Sequence, residues 1–369
     1  MTDAREPTPV RIREPSPERP GTPGIVFVTG ASRSGTTMLA RMLGRARDAY
    51  TLHELHYFGE LVPFEHTSAV LPRERAERAV AMTLARHARD YWVSGPTPEE
   101  RSLAREIVDS VGAARATGDR LFAATMDRIR DMAGAAVLCE QTPRNVYYAF
   151  HLLDAFPDCR IVHVVRDPRA VLASQKRRYQ LRKLGGHNVP VREVVRLWLN
   201  YHPITMVRLW RSATREILRL EGYPRVSIVR YEDLVLDAEA TVRGLCDEIG
   251  LPFEREMLNV PHWGSSTVRH TSAAGPSAAA LDKWREILDG QEVAYCDAAT
   301  VAERRRFAYP DAAPAVRLKD RVLFGARLPL HVVGTVLANP KRAAVQIKAL
   351  FARASKSRDE KSVDDAAVH

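Results

Sequence analysis

The 369-residue chain reads as an α/β protein, a parallel sheet covered by helices on both faces, and three observations carry that expectation. Ile25 to Val28 and Arg160 to Val165 are short, nearly continuous apolar runs, of the kind a parallel sheet buries on both sides. Each run is followed by a turn and then a helix. Met38, Leu39, Met42 and Leu43 form the apolar stripe after the first, and Pro168 opens the helix after the second. Strands that alternate with helices in this way wind into an open sheet with helices above and below.

The elements follow in order. Residues 1–22 hold prolines at 7, 9, 15, 17 and 20 among mixed charges and read as a disordered arm. After the first strand and helix, residues 72–134 contain no convincing strand. Pro72 to Tyr91, Pro98 to Ala116 and Asp119 to Met132 read as three helices, the second with Thr97 as its N-cap and Pro98 in its first turn. This helical insertion is a place where an acceptor pocket can be lined, or plain packing support. Ala136 to Cys139 is a further strand, and Arg144 to Ala155 a helix with Val146, Phe150 and Leu153 facing inward. The helix from Pro168 runs to about Leu184, where Gly185-Gly186 break it. Val191 to Leu220 reads as a helix kinked at Pro203, and Val226 to Leu234 as a short strand with a turn after it. One domain over 23–310 is expected, because the motifs described next must converge on one site. A basic, partly helical tail over 311–369 follows.

Gly24 to Thr37 read GIVFVTGASRSGTT: a strand, a loop bounded by Gly30 and Gly35, and a helix start. Loop amides and the positive end of a helix dipole make a cradle for an anion. In the ATP- and GTP-binding version of this loop, a lysine before the Ser/Thr reaches the phosphates. Thr36 stands in that place, and no lysine occurs before Lys176. Arg33 is therefore the strong cation of the loop. A second motif, Cys159 to Tyr179, reads CRIVHVVRDPRAVLASQKRRY. Arg166 closes its strand, and Ser174 and Arg178, four residues apart, share one face of its helix. A strand-end arginine with Ser and Arg on the next helix can fork onto a single phosphate.

The two motifs in this order resemble those of the sulfotransferases that use 3′-phosphoadenosine 5′-phosphosulfate (PAPS). The resemblance spans roughly residues 24–310 and is nearest to the tyrosylprotein-type and bacterial branches. It implies a P-loop-like three-layer α/β/α fold and sulfuryl transfer to a hydroxyl, with adenosine 3′,5′-bisphosphate as product and no metal required. By resemblance, Arg33, Ser34, Gly35, Thr36 and Thr37 hold the 5′-phosphosulfate end, and Arg166, Ser174 and Arg178 hold the 3′-phosphate. Tyr231, in VSIVRYEDL, lies near the adenosine. Lys283 of Asp282-Lys283-Trp284 touches phosphate, with Trp284 available for the base. Ser266 and Arg269 belong to a Ser/Gly-rich loop that closes over the donor.

Such a transfer needs a base near the sulfur and cations on the leaving group. Arg33 is placed for the second role. In tyrosylprotein-type relatives a catalytic glutamate follows the loop arginine at about the distance of Glu54, 21 residues on. His53 and His56 are rival bases, because other branches use histidine. One departure stands out: Gln141, in CEQTPRN, occupies the place of a family lysine, so a charged donor to the sulfonate is missing unless Arg144 or Lys283 replaces it.

The net charge of +10 suits a polyanionic donor and also fits nucleic-acid binding, although no zinc-finger, recognition-helix or RNA-binding signature is present. Cys139, Cys159, Cys246 and Cys296 show no paired framework, and no secretory segment opens the chain, which points to a cytoplasmic bacterial enzyme. Ala344, Ile347, Leu350, Phe351 and Ala354 mark an apolar face in the basic tail, fit either for anionic lipid or for docking on the protein itself. Expected partners are a small-molecule, glycan or lipid acceptor and not nucleic acid, with peripheral membrane contact through the tail and a homodimer left open. Two other readings remain at this point, an ATP- and Mg²⁺-dependent P-loop kinase and a non-catalytic module for anionic lipid or nucleic acid.

Overall fold

The computed structural model describes residues 23–180, 183–184, 187–188, 198–199, 201–260, 278, 281–312 and scattered positions between 322 and 337. The N-terminal arm, Ser266, Arg269, Gly185-Gly186 and the apolar face at 344–354 lie outside the described residues.

Five parallel strands form the central sheet: β1 (Ile25–Gly30), β2 (Ala49–Thr51), β3 (Val137–Glu140), β4 (Arg160–Val165) and Val226–Arg230, in the spatial order β2, β3, β1, β4, Val226–Arg230. Two residue pairs, Lys183–Leu184 (β5) and His187–Asn188 (β6), make a separate antiparallel ladder, so Val226–Arg230 is β7. β1 and β4 are buried along their whole length, as their unbroken apolar runs require. β2 is absent from the sequence reading. It is three half-exposed residues at the sheet edge, too short to show a period of two.

Helices cover both faces. Val26 and Val28 pack with Leu39, Met42 and Leu43 of α1 (Thr36–Leu43). Phe27, on the opposite face, packs with the helical insertion: α2 (Arg73–Arg89), α3 (Pro98–Val111) and α4 (Gly118–Ala133). Its ring stacks on Phe122 at 6.1 Å between centroids. Thr97 closes a capping box with Glu100, and Pro98 follows it at the start of α3, as the sequence predicts. That helix stops at Gly112, with φ at 80°, short of the expected Ala116.

The segment expected as one helix over Arg144–Ala155 is a 3₁₀ stretch, Pro143–Tyr148, followed by α5 (Ala149–Ala155). Val146 and Leu153 are buried as expected, whereas Phe150 stays half-exposed beneath the Arg219 guanidinium. The helix after β4 is α6 (Pro168–Gln180), which ends before the expected Leu184 because Lys183 and Leu184 pair as strand. Pro203 is the first residue of α7 (Pro203–Leu218), with His202 as N-cap, and not a kink inside a longer helix; its missing N–H costs nothing there. β7 gives way at Tyr231 to α8 (Tyr231–Leu236), followed by α9 (Ala238–Ile249), α10 (Trp284–Ile287), α11 (Gly290–Ala299) and α12 (Val301–Arg306). Among the described residues, no helix is long and apolar enough to cross a membrane.

Candidate functional site

All five strands run the same way, so their C-terminal ends open onto one edge of the sheet. β1 sits between β3 and β4 at the point where the chain reverses its direction of winding, the place where open α/β sheets bind ligands. The loops that leave this edge carry the residues 31–35, 52–56, 141–142, 166–167 and 231.

The loop after β1 takes two left-handed residues, Arg33 at φ 78° and Gly35 at φ 102°. For Arg33 this conformation is strained, and it turns the side chain out of the loop. Gly35 is the N-cap of α1 and no side chain caps that end, so the first amides of α1 remain available. A Cβ on Gly35 would lie 2.8 Å from Tyr231 Cε2 and closer still to Cδ2. The Tyr231 ring thus sits against the loop where only glycine fits. Among the described residues the buried Ser34 Oγ has no hydrogen-bond partner; Thr36 is buried and Thr37 half-buried at the start of the helix.

The second motif meets this loop directly. Arg33 Nε donates to Ser174 Oγ at 3.1 Å, and Arg166 Nη1 donates to the Arg33 carbonyl at 3.2 Å. Arg166 also lies over the Tyr231 ring at 4.0 Å, and its backbone carbonyl accepts from Trp210 Nε1 at 2.9 Å. Gln175 Nε2 donates to the Ser32 carbonyl at 3.3 Å and its Oε1 accepts from Arg178 at 3.3 Å, a link the sequence reading missed. Desolvation, then the charges of Arg178 and Arg166, push the Arg33 guanidinium down to about 10, only partly opposed by Glu54. Three guanidiniums that act on one another make this a strongly cationic cluster. The expected two clamps are therefore one contiguous cluster.

Residues 52–60 line the same edge beside this cluster. Glu54 Oε2 lies 3.0 Å from His56 Nε2, and the other ring nitrogen of His56 is 3.9 Å from Glu60 Oε1. The His56 ring packs on Tyr91 at 4.6 Å. Arg86 of α2 binds the Leu55 carbonyl at 2.6 Å and Glu60 Oε2 at 3.2 Å. His53 is exposed and makes no hydrogen bond with this pair; burial, then the charge of His53, lowers the pKa of the His87 imidazole. The structure thus joins Glu54 and His56 as a carboxylate–imidazole pair and sets His53 apart from it.

Glu140 and Thr142 were not read from the sequence as site residues. The fully buried Glu140 carboxylate accepts from Asn145 Nδ2 at 2.6 Å, from the Thr142 amide at 3.1 Å and from the Thr142 hydroxyl. Burial, partly offset by these bonds, raises its pKa to about 7. Gln141 beside it is buried, and its Oε1 has no hydrogen-bond partner among the described residues. Arg144 is exposed on the 3₁₀ turn. Lys283 is half-buried just before α10, which packs against α6. Trp284 is not available for a base. It is buried, with the guanidiniums of Arg169 at 4.5 Å and Arg285 at 4.4 Å from its ring centre. No cluster of three or more His, Cys, Asp or Glu fit to hold a metal occurs among the described residues.

With this geometry in view, residues 23–255 match the profile of the sulfotransferase family, and the chain belongs to that family. Carbohydrate sulfotransferase 2 of Mus musculus and that of Homo sapiens are each 29% identical to it across a stretch covering 38% of this chain and 33% of theirs. The chain thus spans about a third of the length of these relatives. Among solved structures, the sulfotransferase domain of the Synechococcus PCC 7002 olefin synthase is 25% identical, covers 81% of this chain and 99% of its own, and superposes with a TM-score of 0.48. The sulfotransferase domain from the curacin biosynthetic pathway is 21% identical over 80% of this chain and 100% of its own, with a TM-score of 0.47.

Proposed function

We propose that the protein transfers a sulfuryl group from PAPS to an acceptor hydroxyl and releases adenosine 3′,5′-bisphosphate. The observation that carries this reading is the contact of Arg33 with Ser174, 141 residues apart, within a cluster that also holds Arg166 and Arg178. A donor with a phosphate on each side of its ribose supplies the negative charge that three crowded guanidiniums lack, and it supplies the sulfuryl group. Family membership and the carbohydrate sulfotransferases among the relatives support the same reading.

The roles follow from the chemistry of each residue. The loop amides, Ser34, Gly35, Thr36 and Thr37 hold the phosphosulfate end. Arg166, Ser174 and Arg178 hold the 3′-phosphate. Tyr231 positions the loop beneath Arg166, and Lys283 adds charge from the α10 side. Arg33 stabilises the charge that develops on the leaving phosphate. Glu54 accepts the proton of the acceptor hydroxyl, with His56 at 3.0 Å able to share it. His53 lines the exposed approach. A sugar hydroxyl is the acceptor class that the carbohydrate sulfotransferases favour. Four buried free cysteines support a reducing, cytoplasmic setting, and the arginine-rich composition a bacterial one.

A thermal-shift series tests the reading. Adenosine 3′,5′-bisphosphate without metal, at a hundred times its Kd, should stabilise the protein by about 2.7 kcal/mol, roughly 5–10 °C for a domain of this size. Sulfuryl transfer from PAPS to a panel of sugar and phenol acceptors should then be detectable. Greater stabilisation by ATP-Mg²⁺ or GTP-Mg²⁺ would overturn the assignment in favour of a kinase.

A further inference from the structure

We infer that Glu140 and Thr142 are positioning residues that set the acceptor side of the site by clasping the backbone next to Glu54. The inference uses the proposed sulfotransferase reading only to name Glu54 as the base.

The bond directions in this cluster are fixed by chemistry. Thr142 Oγ1 accepts from the Leu55 amide at 3.1 Å and from the His56 amide at 3.1 Å. A hydroxyl has one proton and two lone pairs, so with both lone pairs used its proton goes to Glu140 Oε1. The same carboxylate oxygen takes a second, longer bond from the Leu55 amide at 3.4 Å. The other oxygen is claimed by Asn145 Nδ2 at 2.6 Å. Leu55 and His56 are thus gripped through their amides by Thr142, just past β3, and by Glu140 at its end, and through their carbonyls, at 2.6 and 3.4 Å, by Arg86 of α2.

What this grip holds is strained. His56 has φ 46° and ψ 38°, the left-handed region that a side chain with a Cβ disfavours. That turn brings the His56 imidazole round to Glu54. β3 is also paired directly with β1, whose loop carries Arg33. The clasp therefore fixes the carboxylate–imidazole pair relative to the arginine cluster through a single sheet. A buried carboxylate is a costly way to fill a core. It reaches Leu55 directly at 3.4 Å and reaches both Leu55 and His56 through the Thr142 hydroxyl, while Asn145 holds its other oxygen.

The test replaces the hydroxyl with a methyl of the same shape, Thr142→Val, and keeps it in Thr142→Ser. In Thr142→Val, turnover should fall about a hundredfold, the loss expected when a reacting group is displaced by about 1 Å. Affinity for adenosine 3′,5′-bisphosphate should stay within about twofold, because no donor-side group has changed. Hydrogen exchange at the Leu55 and His56 amides should rise roughly five- to tenfold. Thr142→Ser should restore turnover and exchange to within about threefold of the parent. The clasp is refuted by a Thr142→Val protein with parental turnover and exchange, by a Thr142→Ser protein as impaired as Thr142→Val, or by bisphosphate binding that weakens in step with turnover. Should Thr142→Val not fold, Glu140→Gln carries the same readings, with turnover lost and bisphosphate binding kept. The exchange measurement needs no turnover. A parent protein that transfers no sulfuryl group would sink the proposed function, while exchange in Thr142→Val against Thr142→Ser would still judge the clasp.

Discussion

Replacing Arg33 with methionine separates what this residue does for binding from what it does for folding. In the absence of ligand, burial and then the charges of Arg178 and Arg166 push the Arg33 guanidinium down to about 10. A shift of that size corresponds to about 3 kcal/mol of disfavoured charge, which solvent screening of this half-buried group reduces to roughly 1–2 kcal/mol. Arg33→Met removes that cost of burying and crowding the charge. It also removes the bond to Ser174 Oγ, worth about 1 kcal/mol. The two terms are of similar size, with relief slightly the larger. The ligand-free Tm of Arg33→Met should therefore be unchanged or raised by about 2–4 °C. With bisphosphate the order reverses, because a charged donor to phosphate contributes about 1.5–3 kcal/mol. Ligand-induced stabilisation should shrink by that amount, and turnover should fall about 10²- to 10³-fold. Differential scanning calorimetry with and without the bisphosphate, next to a transfer assay, reads all three quantities. A ligand-free Tm lowered by more than about 4 °C together with undiminished ligand stabilisation would refute the reasoning, since Arg33 would then be a structural residue.

Two further perturbations address other parts of the site. Gly35→Ala forces a Cβ into the Tyr231 ring at φ 102°, so it should cost about 2–4 kcal/mol in stability and weaken bisphosphate binding at least tenfold; parental affinity would mean that the ring moves aside freely. Glu140 has a folded pKa of about 7 against an ordinary 4.5, so its contribution to stability is full below pH 4.5 and is lost as the pH rises through 7. Glu140→Gln lacks that dependence. Its stability relative to the parent should improve by up to about 3 kcal/mol between pH 4.5 and 8, measured by urea denaturation. His56, whose charge acts on Glu140, is common to both proteins. A difference that stays flat with pH would show that Glu140 is ionised throughout.

The strands, the loop and the second motif were legible because each is a local pattern. Unbroken apolar runs marked β1 and β4, and Thr97-Pro98 marked the start of α3. What escaped has no local signature. β2 is three residues whose strand character comes only from pairing with β3. Trp284 next to Lys283 reads as available for a base in the sequence, whereas in the fold it is buried with Arg169 and Arg285 over its ring. Glu140 and Thr142 have no local signature, because Leu55 is 85 positions from Glu140 and His56 is 86 positions from Thr142 in the chain.

By itself, then, the order of residues determined a phosphate-seeking strand–loop–helix, a second arginine motif and a parallel sheet to carry them. Those depend on apolar periodicity, glycine spacing and side-chain charge, which act within a few turns of chain. Only the folded chain decided that Arg33, Arg166, Ser174 and Arg178 merge into one cluster, and that the Glu54–His56 pair is held from β3. The reason is that packing a twisted sheet sets distances between segments more than a hundred residues apart, and hydrogen-bond geometry at those junctions has no counterpart in local sequence.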